Sequence, residues 1–146
     1  PFVSGVISLI KKINEKQIKN IKISSANAIN ILDNLADDCL SSVYILFPDP
    51  WPKKRHHKRR LINPNSIDKL HRVLKNDGSI LIASDHKGYI YSILFNFLQD
   101  NRFSWICEKS SDFTKKPYLS TQSKYEKKAI KNNQNSVYLT FKKISL

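Results

Sequence analysis

The sequence predicts an α/β fold, a mostly parallel sheet with helices between its strands. Two observations carry this. Apolar, β-branched runs of strand length alternate with segments whose apolar residues recur at helical spacing. Two of those runs also end in a carboxylate, Asp49 after the first and Asp85 after the second. In open α/β sheets, ligands sit beyond the carboxyl ends of the strands.

Each element has a local reason. From Ser4 to Lys19, Val6, Leu9, Ile10 and Ile13 are spaced for one face of a helix. Ile21 to Ala26 reads as a short strand, and Ala28 to Ala36 as a short helix. Ser42 to Phe47 is a β-branched and aromatic run that suits a buried strand and stops at Pro48, which has no ladder N–H. Asn63-Pro64-Asn65-Ser66 is a cap-and-turn cluster opening a helix with Ile67, Leu70, Val73 and Leu74 on one face. Asn76-Asp77-Gly78 reads as a turn, Ser79 to Ala83 as a strand, and Gly88 to Gln99 as a strongly apolar helix. Phe103 to Cys107 reads as a strand and Ser110 to Ser120 as a polar loop. Ser123 to Lys131 reads as a basic helix and Val137 to Ile144 as the closing strand. No repeat or low-complexity linker divides residues 1–146, which read as one partial domain.

The chain has 146 residues, 40% of them hydrophobic, enough for a real core and unlike a disordered composition. Its net charge of +13 favours a polyanionic partner, a nucleic acid or an acidic membrane surface. Codon bias toward Lys, Asn and Ile is the plainer source of such a charge. No apolar run is long enough to span a bilayer, and the N-terminus lacks the pattern of a signal peptide. Cys39 and Cys107 form no CxxC and read as reduced core residues of a cytoplasmic protein, with neither a disulfide framework nor a metal.

The most informative stretch runs from Phe47 to Arg60, Phe-Pro-Asp-Pro-Trp-Pro-Lys-Lys-Arg-His-His-Lys-Arg-Arg. A proline-bracketed carboxylate and indole are followed at once by six of the chain's 25 basic residues and two histidines. Each cation set against a phosphate releases counterions and adds a salt-dependent increment to binding. Pro50 and Pro52 fix the backbone around Trp51, so its ring could stack on a base. Taken singly, these features have plainer readings: a solvated loop, a core indole, a turn-forming Asp. Their conjunction after a buried strand points to a nucleotide-modifying edge.

That string closely resembles the hallmark of the bacterial tRNA (guanine-N7)-methyltransferases. The likeness extends along the chain: Ala83-Ser84-Asp85 resembles the family's Ala-Thr-Asp, and Ser123-Lys124-Tyr125-Glu126 its Thr-Lys-Phe-Glu. The resemblance implies a Rossmann-like class I methyltransferase sheet with helices on both faces. It implies S-adenosylmethionine as donor and a variable-loop guanosine of tRNA as acceptor. On matching positions, Asp49 is the catalytic and donor-contacting carboxylate. Asn27 stands where the family has an Asp beside the donor's adenine, so an acceptor remains but the charge is gone. By the same resemblance, Lys53, Asp85, Ser123 and Glu126 are expected to contact the substrate. Beside these, Lys54, Arg55, Lys58, Arg59 and Arg60 are expected to grip the tRNA backbone, with Lys124, Lys127, Lys128 and Lys131 as a second contact. His56 and His57 share in RNA contact or face solvent.

One expected feature is missing. A class I methyltransferase begins with a strand and a Gly-rich loop. The three glycines here, Gly5, Gly78 and Gly88, form no G-x-G after a strand. The chain therefore reads as lacking the first strands and the donor loop. Three readings stay open: a fragment of an intact enzyme, an inactive remnant that still binds RNA, or an RNA-binding module on a methyltransferase scaffold. An exposed sheet edge is expected to favour self-association.

Overall fold

A computed structural model describes residues 3–117 and 135–145. The chain divides into two compact units, Pro1–Asn34 and Leu35–Leu146. The first holds α1 (Val3–Glu15) and α2 (Ala28–Asp33) and buries none of its described residues. Asn27 caps α2: its side chain accepts the Ile29 N–H at 2.9 Å, supplying a partner to one orphan donor of the first turn. The strand expected over 21–26 does not form, and these residues are exposed without regular structure. β propensity alone makes no strand. A strand needs a neighbour to receive its hydrogen bonds, and no described strand pairs with this segment.

The second unit is built on four strands: β1 (Leu40–Leu46), β2 (Leu74–Ser84), β3 (Phe103–Trp105) and β4 (Val137–Lys143), in spatial order β1-β2-β4-β3. β1 and β2 are parallel, and β4 is antiparallel to both β2 and β3. Three strands thus share one direction, and the last inserts between two of them against it. Residues 80–83 of β2 are all buried, as a central strand covered on both faces requires. On one face Ile80 and Ile82 meet Phe141 and Leu139, and Phe97 of α4 (Lys87–Leu98) stacks on Phe141 at 4.0 Å. On the other, Leu81, Ala83 and Tyr138 cluster with Phe47. The short helix α5 (Ser111–Thr114) packs on β4, where a polar loop was expected.

The expected turn at Asn76-Asp77-Gly78 lies inside β2. Leu40 pairs with Leu74 but Ser42 with Ser79, so residues 75–78 bulge from the ladder, with Asp77 at φ 61°. A Cβ on Gly78 would meet the Lys75 carbonyl at 2.8 Å, so the turn residues close the bulge rather than end the strand. β3 stops at Trp105, two residues short of its expected end. Neither cysteine is a core residue. Cys39 is exposed and Cys107 partly so, because each lies at the margin of an outer strand.

α3 (Pro64–Val73) begins as its sequence dictates. Asn63 accepts from Ser66 N, the Ser66 hydroxyl sits 3.0 Å from Asn63 N, and Pro64 occupies the first turn. Its far end is tied by a buried lysine. Lys143 Nζ donates to Leu74 O at 2.7 Å, His71 O at 3.0 Å and Asp38 Oδ1 at 2.9 Å, setting a cation against the helix's orphan carbonyls. Beside it, Arg102 forks onto Asp100 and reaches Asp68 of α3 at 2.6 Å.

Two groups here set a pH dependence. Burial, with Lys143 and Arg102 nearby, lowers the His71 pKa. The Arg102 hydrogen bond lowers that of Asp100. The folded state therefore binds fewer protons than the unfolded one. The His71 contribution falls away as pH drops below about 6.5, and the Asp100 contribution as pH drops below about 3.9. Urea denaturation should show stability decreasing from pH 7.5 to 5.5, with a smaller decrease in His71→Gln.

Candidate functional site

Asp49 and Asp85 stand at the same end of two neighbouring parallel strands. The Phe47 N–H donates to Ala83 O at 2.8 Å, carrying the ladder to the last residues of β1 and β2. Asp49 follows two residues later, between Pro48 and Pro50, and is exposed. Asp85 follows buried Ser84, whose Oγ accepts from His86 N at 3.2 Å, and precedes His86, the N-cap of α4. The tight Ser84-Asp85-His86 turn holds the half-buried carboxylate on the rim.

The loop after β1 is strained. Phe47 and Trp51 have φ of 53° and 43°, values that residues with a Cβ seldom adopt. Phe47 is held by its packing on Leu81, Ala83 and Tyr138. Trp51 is held by the basic run, which forms a 3₁₀ helix over Lys54–Arg59. At three residues per turn, positions three apart share an edge. His56 and Arg59 share one: the imidazole meets the indole edge-on at 5.7 Å, and the Arg59 guanidinium lies 5.0 Å over it. The other two edges carry Lys54 with His57 and Arg55 with Lys58, all exposed, and Lys53 is exposed at the helix start.

Arg60 departs from the expected role at the RNA backbone. It is 6% exposed, its Nε donates to Pro50 O at 2.8 Å, and its guanidinium lies 5.0 Å over the Tyr89 ring. Tyr89, from the first turn of α4, accepts the Ile62 N–H through its hydroxyl at 3.1 Å. Burial pushes the Tyr89 hydroxyl above the ordinary phenol pKa. The Ile62 N–H and Arg60 offset this in part, and the charge of Asp49 adds to it. Arg60 and Tyr89 thus join the Asp49 loop to the helix that begins just after Asp85. Reading charge alone grouped Arg60 with the exposed cations and missed Tyr89, although the pairing of a final Arg with a Tyr in an apolar helix is visible once the two elements are known to be adjacent.

The expected site residues Ser123 and Glu126, with the basic helix around them, lie outside the described residues. Asn27 belongs to the first unit. Its Oδ1 is engaged in capping α2. Among the described residues no group of three His, Cys, Asp or Glu could hold a metal, and no helix is long and apolar enough to cross a membrane.

A family model described as "Putative methyltransferase" matches residues 2–139. The chain belongs to that methyltransferase family. A tRNA (guanine-N(7)-)-methyltransferase of Zymomonas mobilis is 36% identical over 144 residues, 99% of this chain and 62% of that protein. A protein of the same name from Rhizobium johnstonii is 37% identical, again over 99% of the chain and 62% of the relative. The chain therefore spans about 62% of the length of these relatives. Among solved structures, a putative methyltransferase of Streptococcus mutans in complex with SAH has a TM-score of 0.59 at 11% identity, covering 97% of this chain and 71% of that one. An rRNA methylase of Streptococcus thermophilus has a TM-score of 0.55 at 12% identity, covering 92% and 64%. These likenesses identify the fold as the Rossmann-like methyltransferase fold.

If Arg60 is a structural tie, Arg60→Ala should lower the unfolding free energy by about 2 kcal/mol, while Arg55→Ala should stay within about 0.5 kcal/mol of the parent. Equilibrium urea denaturation reads both. Equal, small effects would remove Arg60 from that role.

Proposed function

We propose that the chain carries the acceptor side of an enzyme that transfers a methyl group from S-adenosylmethionine to N7 of a variable-loop guanosine in tRNA, in the cytoplasm. The observation that carries this reading is the pair of rim carboxylates, Asp49 and Asp85, beside an exposed cationic 3₁₀ helix. The family membership and the names of the relatives support the same reaction.

The chemistry asks for little more. S-adenosylmethionine supplies an electrophilic methyl. Guanine N7 is a lone pair without a proton, so no strong general base is required, only alignment and charge compensation. Asp49 is the group for the second task, since methylation leaves the purine cationic. Asp85 can accept from the guanine N1–H or exocyclic amine and so orient the ring. Lys53 suits a phosphate or ribose. Lys54, Arg55 and Lys58 suit the RNA backbone, and Arg59 can join them while remaining over Trp51. Ser123 and Glu126 complete the substrate side by family position. Asn27 can offer its Nδ2 amide to an adenine ring nitrogen. The glycines do not supply a donor cradle: Gly5 lies within α1, Gly78 closes a strand bulge and Gly88 sits in the first turn of α4. That observation favours, as a second reading, a chain that grips tRNA without transferring methyl groups by itself.

The deciding experiment incubates the 146-residue chain with labelled S-adenosylmethionine and unmodified tRNA. Methyl transfer to guanine N7 that disappears in Asp49→Ala would establish the enzyme reading. No transfer, with tRNA retained in a steeply salt-dependent manner, would establish the second; neither transfer nor retention would defeat both. Arg55→Ala and Lys58→Ala should each reduce the slope of log K against log salt by about 1.

A further inference from the structure

α4 is apolar on two sides. Tyr89, Ile90, Ile93 and Phe97 face the core. Tyr91, Phe95 and Leu98, spaced i, i+4 and i+7, stand along its outer side at 72%, 66% and 60% exposure. A helix that is apolar all round needs cover on both sides in water. At 12 residues this one is too short to find that cover by crossing a bilayer. Contiguous exposed apolar surface of this kind marks an interaction site.

Charge selects the occupant. Lys87 is the only charged residue of α4, in a chain of net charge +13. Nucleic acid is drawn to clustered cations, and between Lys87 at its start and Arg102 beyond its end this face carries none. Two copies of so basic a chain can approach each other only where cations are sparse, and this is such a place. We propose that a second copy of this chain covers the stripe, α4 against α4, antiparallel about a two-fold axis near Phe95. The arrangement is self-complementary. Lys87 lies on the same line as Tyr91 and Phe95, at the start of the helix. Beyond the other end lies the Asp68–Arg102–Asp100 cluster, two carboxylates on one guanidinium, with the Asp68 side chain 62% exposed. Antiparallel pairing brings each Lys87 toward the other copy's acidic end. A cleft of about 420 Å³ beside Phe95, between Pro64, Asn96 and Arg102, gives an aromatic ring of the second copy a seat.

Size sets the strength. The three side chains offer on the order of 400 Å². With flanking polar atoms, two copies would bury roughly 1,200 Å², the lower end of specific interfaces, so the dimer should be weak and reversible. Sedimentation velocity of the chain in high salt, free of nucleic acid, tests this. A monomer–dimer equilibrium is expected that Phe95→Glu and Tyr91→Glu each weaken at least ~10-fold, with circular dichroism melts of the dilute monomer unchanged because both positions are exposed there. Tyr44→Glu, on the outer strand β1, should leave the dimer intact. A monomer at the highest concentration would overturn the proposal. So would a dimer that survives Phe95→Glu or is lost only in Tyr44→Glu, since the sheet edge would then be the contact.

Discussion

The buried Arg60 is the constraint on which the site depends. Its guanidinium holds the Pro50 carbonyl and lies on the ring of Tyr89, so one side chain ties the strained loop after β1 to the start of α4. The loop needs such a tie because Phe47 and Trp51 are both in the left-handed region, where a Cβ is crowded. Three prolines narrow the alternatives but do not by themselves fix where the loop lies against the sheet. The tie does, and with it Asp49 is held near the rim that carries Asp85.

Cations in this chain do two kinds of work, and their surroundings decide which. Lys54, Arg55 and Lys58 are exposed and keep their charge available to a polyanion. Arg60 and Lys143 are buried and satisfy backbone carbonyls that would otherwise lack partners, at the loop and at the end of α3. Removing a buried one would leave those acceptors without donors in a poorly solvated place, so it costs stability rather than affinity. The net charge of +13 therefore overstates the charged surface open to a polyanion.

The same division runs through the apolar residues. β2 is covered on both faces and organises the core, while β1 leaves Tyr44 and Leu46 exposed and α4 leaves an aromatic stripe uncovered. The chain spans about 62% of its relatives, and its core is nevertheless closed around β2 and β4 by Phe97, Phe103 and Phe141. Hydrophobic content was sufficient for a core, but its distribution leaves surface that asks for partners.

The sequence by itself determined the elements whose cause is local. The caps of α3 follow from Asn63, Pro64 and Ser66, the central strand from a continuous apolar run, and the rim carboxylates from their position just after two strands. Tertiary structure decided whatever depends on a neighbour far along the chain. The segment at 21–26 has strand propensity but no partner strand, so it forms none. Asn76-Asp77-Gly78 has turn chemistry, but the register of β1 on β2 makes it a bulge. The antiparallel entry of β4 between β2 and β3 has no local signature. Arg60 ends a run of cations that look alike in sequence, and only the packing of Tyr89 beside Pro50 turns it inward. Period and propensity act over a few residues, whereas the direction of a long charged side chain is set by what lies next to it in space.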